Sequence, residues 1–560
     1  MGCANPLLMQ EVLKEQLKVC PNETFNLVLF LLTHFLVSFN ANCPEDELFD
    51  LERNVEVARH EEELQKFLSS TEWPKQWKAW GSLFGCFFLM FNSWGLVNAY
   101  GTFSSHYMQH LMPNRNLLQL STIGSTESFL ILIFSGIVGR VVDAGMARQL
   151  TIIGSIFVTM GMLSLAFCAG DGKFGQGNFT SIWVCQGLLQ GLGMSCFFVS
   201  SSQIGSSWFP SVRKSFVVGV VASGASIAGF VYPILTKFLL GPLGWRNTIL
   251  CVWAVVLVTC IVSCIFCVPN PLHMKRRPEK WQTWRAFVDL DAFHHRGFNC
   301  LTAATCFMFF GFYVVFFNLE EWAALHGFGY KDHVIGLDGQ DEPVRHPKAL
   351  RTFYLLSIMN GSSAVGRIGS AYLGDKIPTP LIHMTATGIC SLLCLVGWIQ
   401  VDSVESTIAF VVLFGVFSGS VIGLPPASMG WILGKHAEGQ RRLGHWVGLM
   451  YTCSAIPAFV GPMIAGVLVS YLRIFLPIQL WAGICLGVST VFMLAAWHYG
   501  RQHHETYPDT PVVPKGTTST STSATASCAP SVWADDEEKE QKPSDGTGAS
   551  QVRTNTGRLR

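Results

Sequence analysis

Charge is what this chain of 560 residues has least of: Asp, Glu, Lys and Arg together make up 13% of it, where a soluble protein carries about a quarter. So little charge cannot cover a water-facing surface. The 38 Lys and Arg nearly offset the 37 Asp and Glu, so net charge gives no reason to propose a nucleic-acid partner. Motifs that carry chemistry are missing too. There is no Gly-x-x-x-x-Gly-Lys-Ser/Thr loop, no His-Glu-x-x-His, no Gly-x-Ser-x-Gly and no His/Cys cluster at ligand spacing, which argues against an ATP-driven pump, an enzyme, and a resident metal or cofactor. Most of the 18 cysteines, such as Cys260, Cys264 and Cys267, fall inside apolar runs and read as small hydrophobes rather than a disulfide framework or metal site.

Apolar length is what the chain has in quantity. Half of its residues are hydrophobic and its mean hydropathy is +0.36. Roughly a dozen nearly uncharged stretches recur from Trp80 to Tyr499, each about the twenty residues that cross 30 Å of hydrocarbon as a helix. Only helices satisfy their own backbone there. The expectation is an all-α polytopic membrane protein of about twelve spans: 80–101, 120–141, 150–169, 181–207, 216–240 and 247–268, then 298–318, 352–373, 381–400, 407–433, 445–471 and 475–499. That pattern is six, a break, and six.

The domains follow from it: a cytosolic region 1–79, a six-helix bundle 80–268, a basic central loop 269–297, a second bundle 298–499 and a tail 500–560. The break holds Lys275, Arg276, Arg277, Lys280, Arg285 and Arg296, and an excess of Lys and Arg in short loops marks the cytosolic side. Arg148, Arg213, Lys214, Lys376, Lys435, Arg441 and Arg442 follow even-numbered spans and agree with that orientation. The tail, with GTTSTSTSATAS and DDEEKEQK, has a composition expected to stay disordered. Residues 25–39 are apolar but short for a span, the opening residues lack a signal-peptide pattern, and Pro6 breaks the myristoylation pattern after Gly2.

Six plus six is a transporter plan, in which two halves rock about a midplane site. GRVVDAGMAR follows span two and GRIGSAYLGDK ends span eight, the equivalent place in the second half. Gly139, Asp143 and Arg148 match the Gly-x-x-x-Asp loop of the major facilitator superfamily, and Asp375 with Lys376 repeats it. In WFPSVRKSFVVGVVASGASIAGFVYPIL of span five, Arg213, Lys214, Gly219 and Gly224 resemble the monocarboxylate-porter family, in particular its fungal members. The resemblance runs from about Trp80 to Tyr499. It implies a secondary transporter of a small organic molecule by alternating access, with a conformational gate at these residues, in a lipid bilayer and with a proton as a candidate second partner; oligomeric state is open.

The chain also departs from that family. Animal members that carry lactate use a Lys in span one and an Asp before an Arg in span eight, where this chain has Asn98, Ser363 and Arg367. A larger metabolite, exported, is therefore expected over lactate, with proton-coupled uptake of a monocarboxylate or riboflavin-like nutrient as the alternative and a transporter-like sensor behind it. The plasma membrane is the expected location. Arg367, inside span eight, needs a cavity or partner, and its planar fork suits a carboxylate; a structural cation tied to carbonyls or to Asp375 is the competing reading. Glu127, inside span two, is a candidate proton carrier or a carboxyl at the outer mouth. Glu320 and Glu321 are expected at that mouth, and Trp94, Asn98, Tyr100 and Asn360 either line the cavity or pack helices.

Overall fold

A computed structural model describes residues 63–168, 173–273, 290–330, 346–434, 437–472 and 474–506. The apolar stretch 25–39, most of the basic central loop and the Ser/Thr-rich tail lie outside the described residues. Among the described residues ten helices are long and apolar enough to cross a membrane. One of them, Ser211–Phe266, is two spans. As a single rod its helix Lys214–Phe266 of 53 residues would run to roughly 80 Å, more than twice a bilayer core, but Gly244 at φ 71° breaks it. Tyr232 before the break and Thr259 after it both bond the side chain of Asn92, so the chain doubles back there. A twelfth crossing, Thr352–Gly374, is 23 residues long and made less apolar by Arg367, Asn360 and its serines.

We number the crossings α1 (Trp77–Leu111), α2 (Leu118–Asp143), α3 (Ala147–Cys168), α4 (Phe179–Ser207), α5 and α6 (Ser211–Phe266, divided at Gly244), α7 (Arg296–Leu325), α8 (Thr352–Gly374), α9 (Thr379–Gly397), α10 (Val404–Gly423), α11 (Arg442–Val469) and α12 (Leu476–Gln502). Each half contributes six. The ends that carry the α2–α3, α4–α5, α6–α7, α8–α9 and α10–α11 connections form what we call the central-loop end; the opposite end carries the others. Strands β1 (Gly329–Tyr330) and β2 (Leu350–Arg351) pair in parallel and draw together the two ends of the α7–α8 connection.

Small residues set the closest helix approaches, as packing in lipid requires. Gly224 of α5 lies against the Phe87 carbonyl of α1, and Gly366 of α8 against the Val416 carbonyl of α10. A β-carbon fits at neither position. Two helices run past the bounds expected from hydropathy, α1 to Leu111 and α7 to Leu325. Their last turns carry His106, Gln109, His110, Glu320 and Glu321, which lower hydropathy without ending the helix.

Candidate functional site

Where the halves meet, the side chains are aromatic. Trp94 of α1 stacks on Tyr313 of α7 with centroids 5.5 Å apart and planes 9° apart, and on Phe309 at 6.0 Å. Phe198 of α4 meets Trp94 edge-on at 5.4 Å and Tyr451 of α11 at 4.7 Å. These rings bring α1 and α4 of the first half against α7 and α11 of the second. The Trp94 indole N–H has no hydrogen-bond partner, although a buried indole usually finds one.

Arg367 closes this cluster. Its guanidinium lies beside the phenols of Tyr313 and Tyr451 and donates from Nη1 to the Ala222 carbonyl of α5 at 2.6 Å, while Nε has no partner. One hydrogen bond thus joins the halves and leaves part of the fork uncommitted. Next to it, Ser226 Oγ donates to Ser363 Oγ at 3.1 Å, and Gly219 lies against Ala371 and the Arg367 carbonyl. Asn360 packs on Gly229; its Nδ2 donates to Leu356 O at 3.0 Å in its own helix and its Oδ1 has no partner. Asn98 donates to Ala225 O at 3.4 Å within the first half.

Glu127 is elsewhere. It is fully buried inside the first half, against Gly191 of α4 and beside Gln186, with Tyr100 and Tyr107 facing it, and neither carboxyl oxygen has a hydrogen-bond partner. It does not sit at a water-exposed mouth. Tyr107 donates to Gln186 Oε1 at 2.5 Å, and Tyr100 donates to the Leu120 carbonyl. Glu320 needs a larger correction. Rather than lining a mouth it is 4% exposed, and its two oxygens accept from Thr102 of α1 at 3.2 Å and Thr352 of α8 at 3.1 Å. Those hydroxyls supply the partners that let a carboxylate be buried, and they tie the two halves at the opposite end. Glu321 beside it is partly buried.

At the central-loop end, α2 and α11 cross through glycines. Gly136 N–H donates to Thr452 Oγ1 at 3.0 Å, Gly448 faces the Ser135 carbonyl, and Gly139 faces the Gly444 carbonyl. Asp143 places Oδ1 at Gly444, while its Oδ2 has no partner. In the other half, Asp375 Oδ1 accepts from the Phe216 N–H of α5 at 3.3 Å. Burial pushes the Asp375 carboxyl up to about 6, against the lowering pull of that N–H and of Arg213. Arg213 lies over the Trp73 ring at 4.7 Å and Lys376 over Tyr372 at 4.4 Å. Lys214 lines a cavity between the halves. Gly224, by contrast, serves only the first half, and Arg148 is exposed at the start of α3.

The structure therefore brings Trp94 and Arg367 into one cluster and sets Glu127 and Asn98 apart from it within the first half. Phe198, Phe309, Tyr313 and Tyr451 were not singled out by sequence. In strings such as FMFFGFYVVFF, nothing distinguishes a ring that faces the other half from one that faces lipid.

Comparison with known proteins bears on what such an arrangement does. The model of the Major Facilitator Superfamily matches residues 83–439. The chain is similar to the MFS-type transporter dbaD of Emericella nidulans, 27% identical over 396 residues covering 70% of this chain and 80% of the relative. It is also similar to the aspyridones efflux protein apdF of the same organism, 26% identical over 420 residues covering 75% and 77%. Among solved structures a fucose:proton symporter of E. coli superposes with a TM-score of 0.50 at 12% identity, covering 74% of this chain and 98% of that one, which bears on the fold alone.

Proposed function

Because this chain belongs to the Major Facilitator Superfamily, and is a membrane transporter rather than an enzyme, we propose that it exports a mid-sized organic anion by alternating access, with the monocarboxylate-porter type as its nearest pattern. The observation that carries this is the Trp94–Tyr313 stack backed by Arg367 at the junction of the halves. Flat rings offer a face for an unsaturated or aromatic substrate, and the guanidinium offers paired donors for its carboxylate or enolate oxygens. A substrate oxygen that takes over the Arg367 donor from Ala222 O replaces a link between halves with a link through the cargo. Binding and release of the halves are then one event, as rocking about a midplane site requires. Relatives named for efflux support the outward direction, and the central-loop end is read as cytosolic at the plasma membrane.

Glu127 supplies the coupling in this reading. It is a carboxyl without a fixed partner, held apart from the cargo, and it takes up a proton on one side and yields it on the other. Proton-coupled uptake of a monocarboxylate or riboflavin-like nutrient would use the same groups in the opposite sense. Untargeted metabolite profiling of medium and cells, with and without the gene, separates the two. Export predicts an organic anion lost from the medium and retained in cells without the gene; retention in the medium supports uptake, and an unchanged profile in cells that make the protein refutes both.

A further inference from the structure

A cavity of about 620 Å³ opens between the halves at the central-loop end. The first half contributes Gln203, Ser211 and Lys214, and the second contributes Asp375, Lys376 and Arg501. Trp94 and Arg367 do not line it, so it is separate from the aromatic cluster. Its charged lining is three cations and one carboxylate, and that carboxylate is the one whose burial pushes it up to about 6. Gln203 Oε1 and Nε2 and Ser211 Oγ are buried without a hydrogen-bond partner. Unsatisfied polar atoms in a native interior call for an explanation, and donors set among excess positive charge are the complement of an anion.

We propose that this cavity is a second binding site, for a carboxylate or phosphate group, whose occupant touches both halves and holds this end closed. Gln203 Nε2 and Ser211 Oγ donate to its oxygens from one half while Lys376 and Arg501 balance its charge from the other. A ligand that contacts both sides opposes their separation by its binding free energy. The site therefore regulates transport, independently of which cargo occupies the aromatic cluster. Such an oxygen group can come from a soluble anion or from the headgroup of an acidic lipid.

The test uses the purified full chain in nanodiscs of phosphatidylcholine, titrated with inorganic phosphate and with citrate against chloride at constant ionic strength. A second arm substitutes phosphatidic acid for part of the lipid. Thermal stability should rise saturably in one arm, which identifies the source. The rise should fall at least tenfold in apparent affinity in Lys376→Gln and in Gln203→Leu, the first of which lies at a helix end and should not disturb folding. Hydrogen exchange should slow on ligand addition both at 202–215 and at 374–379. No stability change in either arm, a response equal to the parent's in either variant, or protection on one side only would overturn the site.

Discussion

A guanidinium at bilayer depth costs roughly 2.5–3.5 kcal/mol on insertion scales, and a charge-assisted hydrogen bond returns about 1.5–3 kcal/mol. Arg367 has one such bond, to Ala222 O at 2.6 Å, and an unpartnered Nε. It is held, but not saturated. Arg367→Lys keeps the charge and loses the fork, so Kd for an anionic substrate should rise about tenfold or more, near 1.4 kcal/mol, while surface expression stays normal; an unchanged Kd would leave Arg367 a structural cation only. Glu127 poses the opposite case, since neither oxygen is bonded and an amide of the same shape loses no contact. Glu127→Gln should match the parent in thermal stability and in exchange of labelled substrate, yet fail to concentrate it in vesicles under an imposed pH gradient. Accumulation by that variant would confine Glu127 to packing. Sequence exposed both charges because an ionisable residue stands out in an apolar span. It misplaced Glu320, because the hydroxyls of Thr102 and Thr352 that bury it come from other helices.

Between elements, the crossing of α2 and α11 shows how far a glycine can be read. The loop motif pointed to Gly139 and Asp143, but the partner glycines Gly444 and Gly448 carry no local signal, since contact across hundreds of residues leaves no periodicity. Their substitutions should differ. A β-carbon at Gly448 would lie 2.6 Å from the Ser135 carbonyl oxygen and 2.9 Å from Gly136 Cα, which are backbone atoms and cannot turn aside. A β-carbon at Gly444 meets the end of the Gln203 side chain and, at 2.9 Å, Asp143 Oδ1, both of which can rotate. Overpacking costs about 1–3 kcal/mol, so Gly448→Ala should lower thermal stability and transport rate clearly more than Gly444→Ala. Equal effects in the two would mean that the crossing is not closed as described. The division of α5 from α6 falls in the GPLGW stretch at 241–245, where Gly244 at φ 71° supplies the reversal.

For the whole molecule, the six-plus-six plan was legible because bilayer thickness fixes span length, whereas the meeting of the halves was not, because it depends on which faces turn inward. Two consequences concern the assembled protein. If the central-loop end is cytosolic, an epitope tag after Arg560 should be reached by antibody only in permeabilised cells, and labelling of intact cells would reverse the orientation. Closure of that end should also depend on pH through Asp375, whose carboxyl is pushed up to about 6 by burial between α5 and α8. A folded-state value above the ordinary carboxylate range means that the closed arrangement favours the protonated form. Its stabilising contribution is therefore complete below about pH 4 and lost as pH rises through about 6. The parent should lose thermal stability between about pH 4 and pH 6, and Asp375→Asn should flatten that step, gaining on the parent at pH 7 to 8 and not at pH 4. Because the uncharged side chain favours the closed end, the same variant should transport more slowly at neutral pH while inserting normally. A pH step of the same size in the variant would place the titration elsewhere and remove Asp375 from the closure of the two halves.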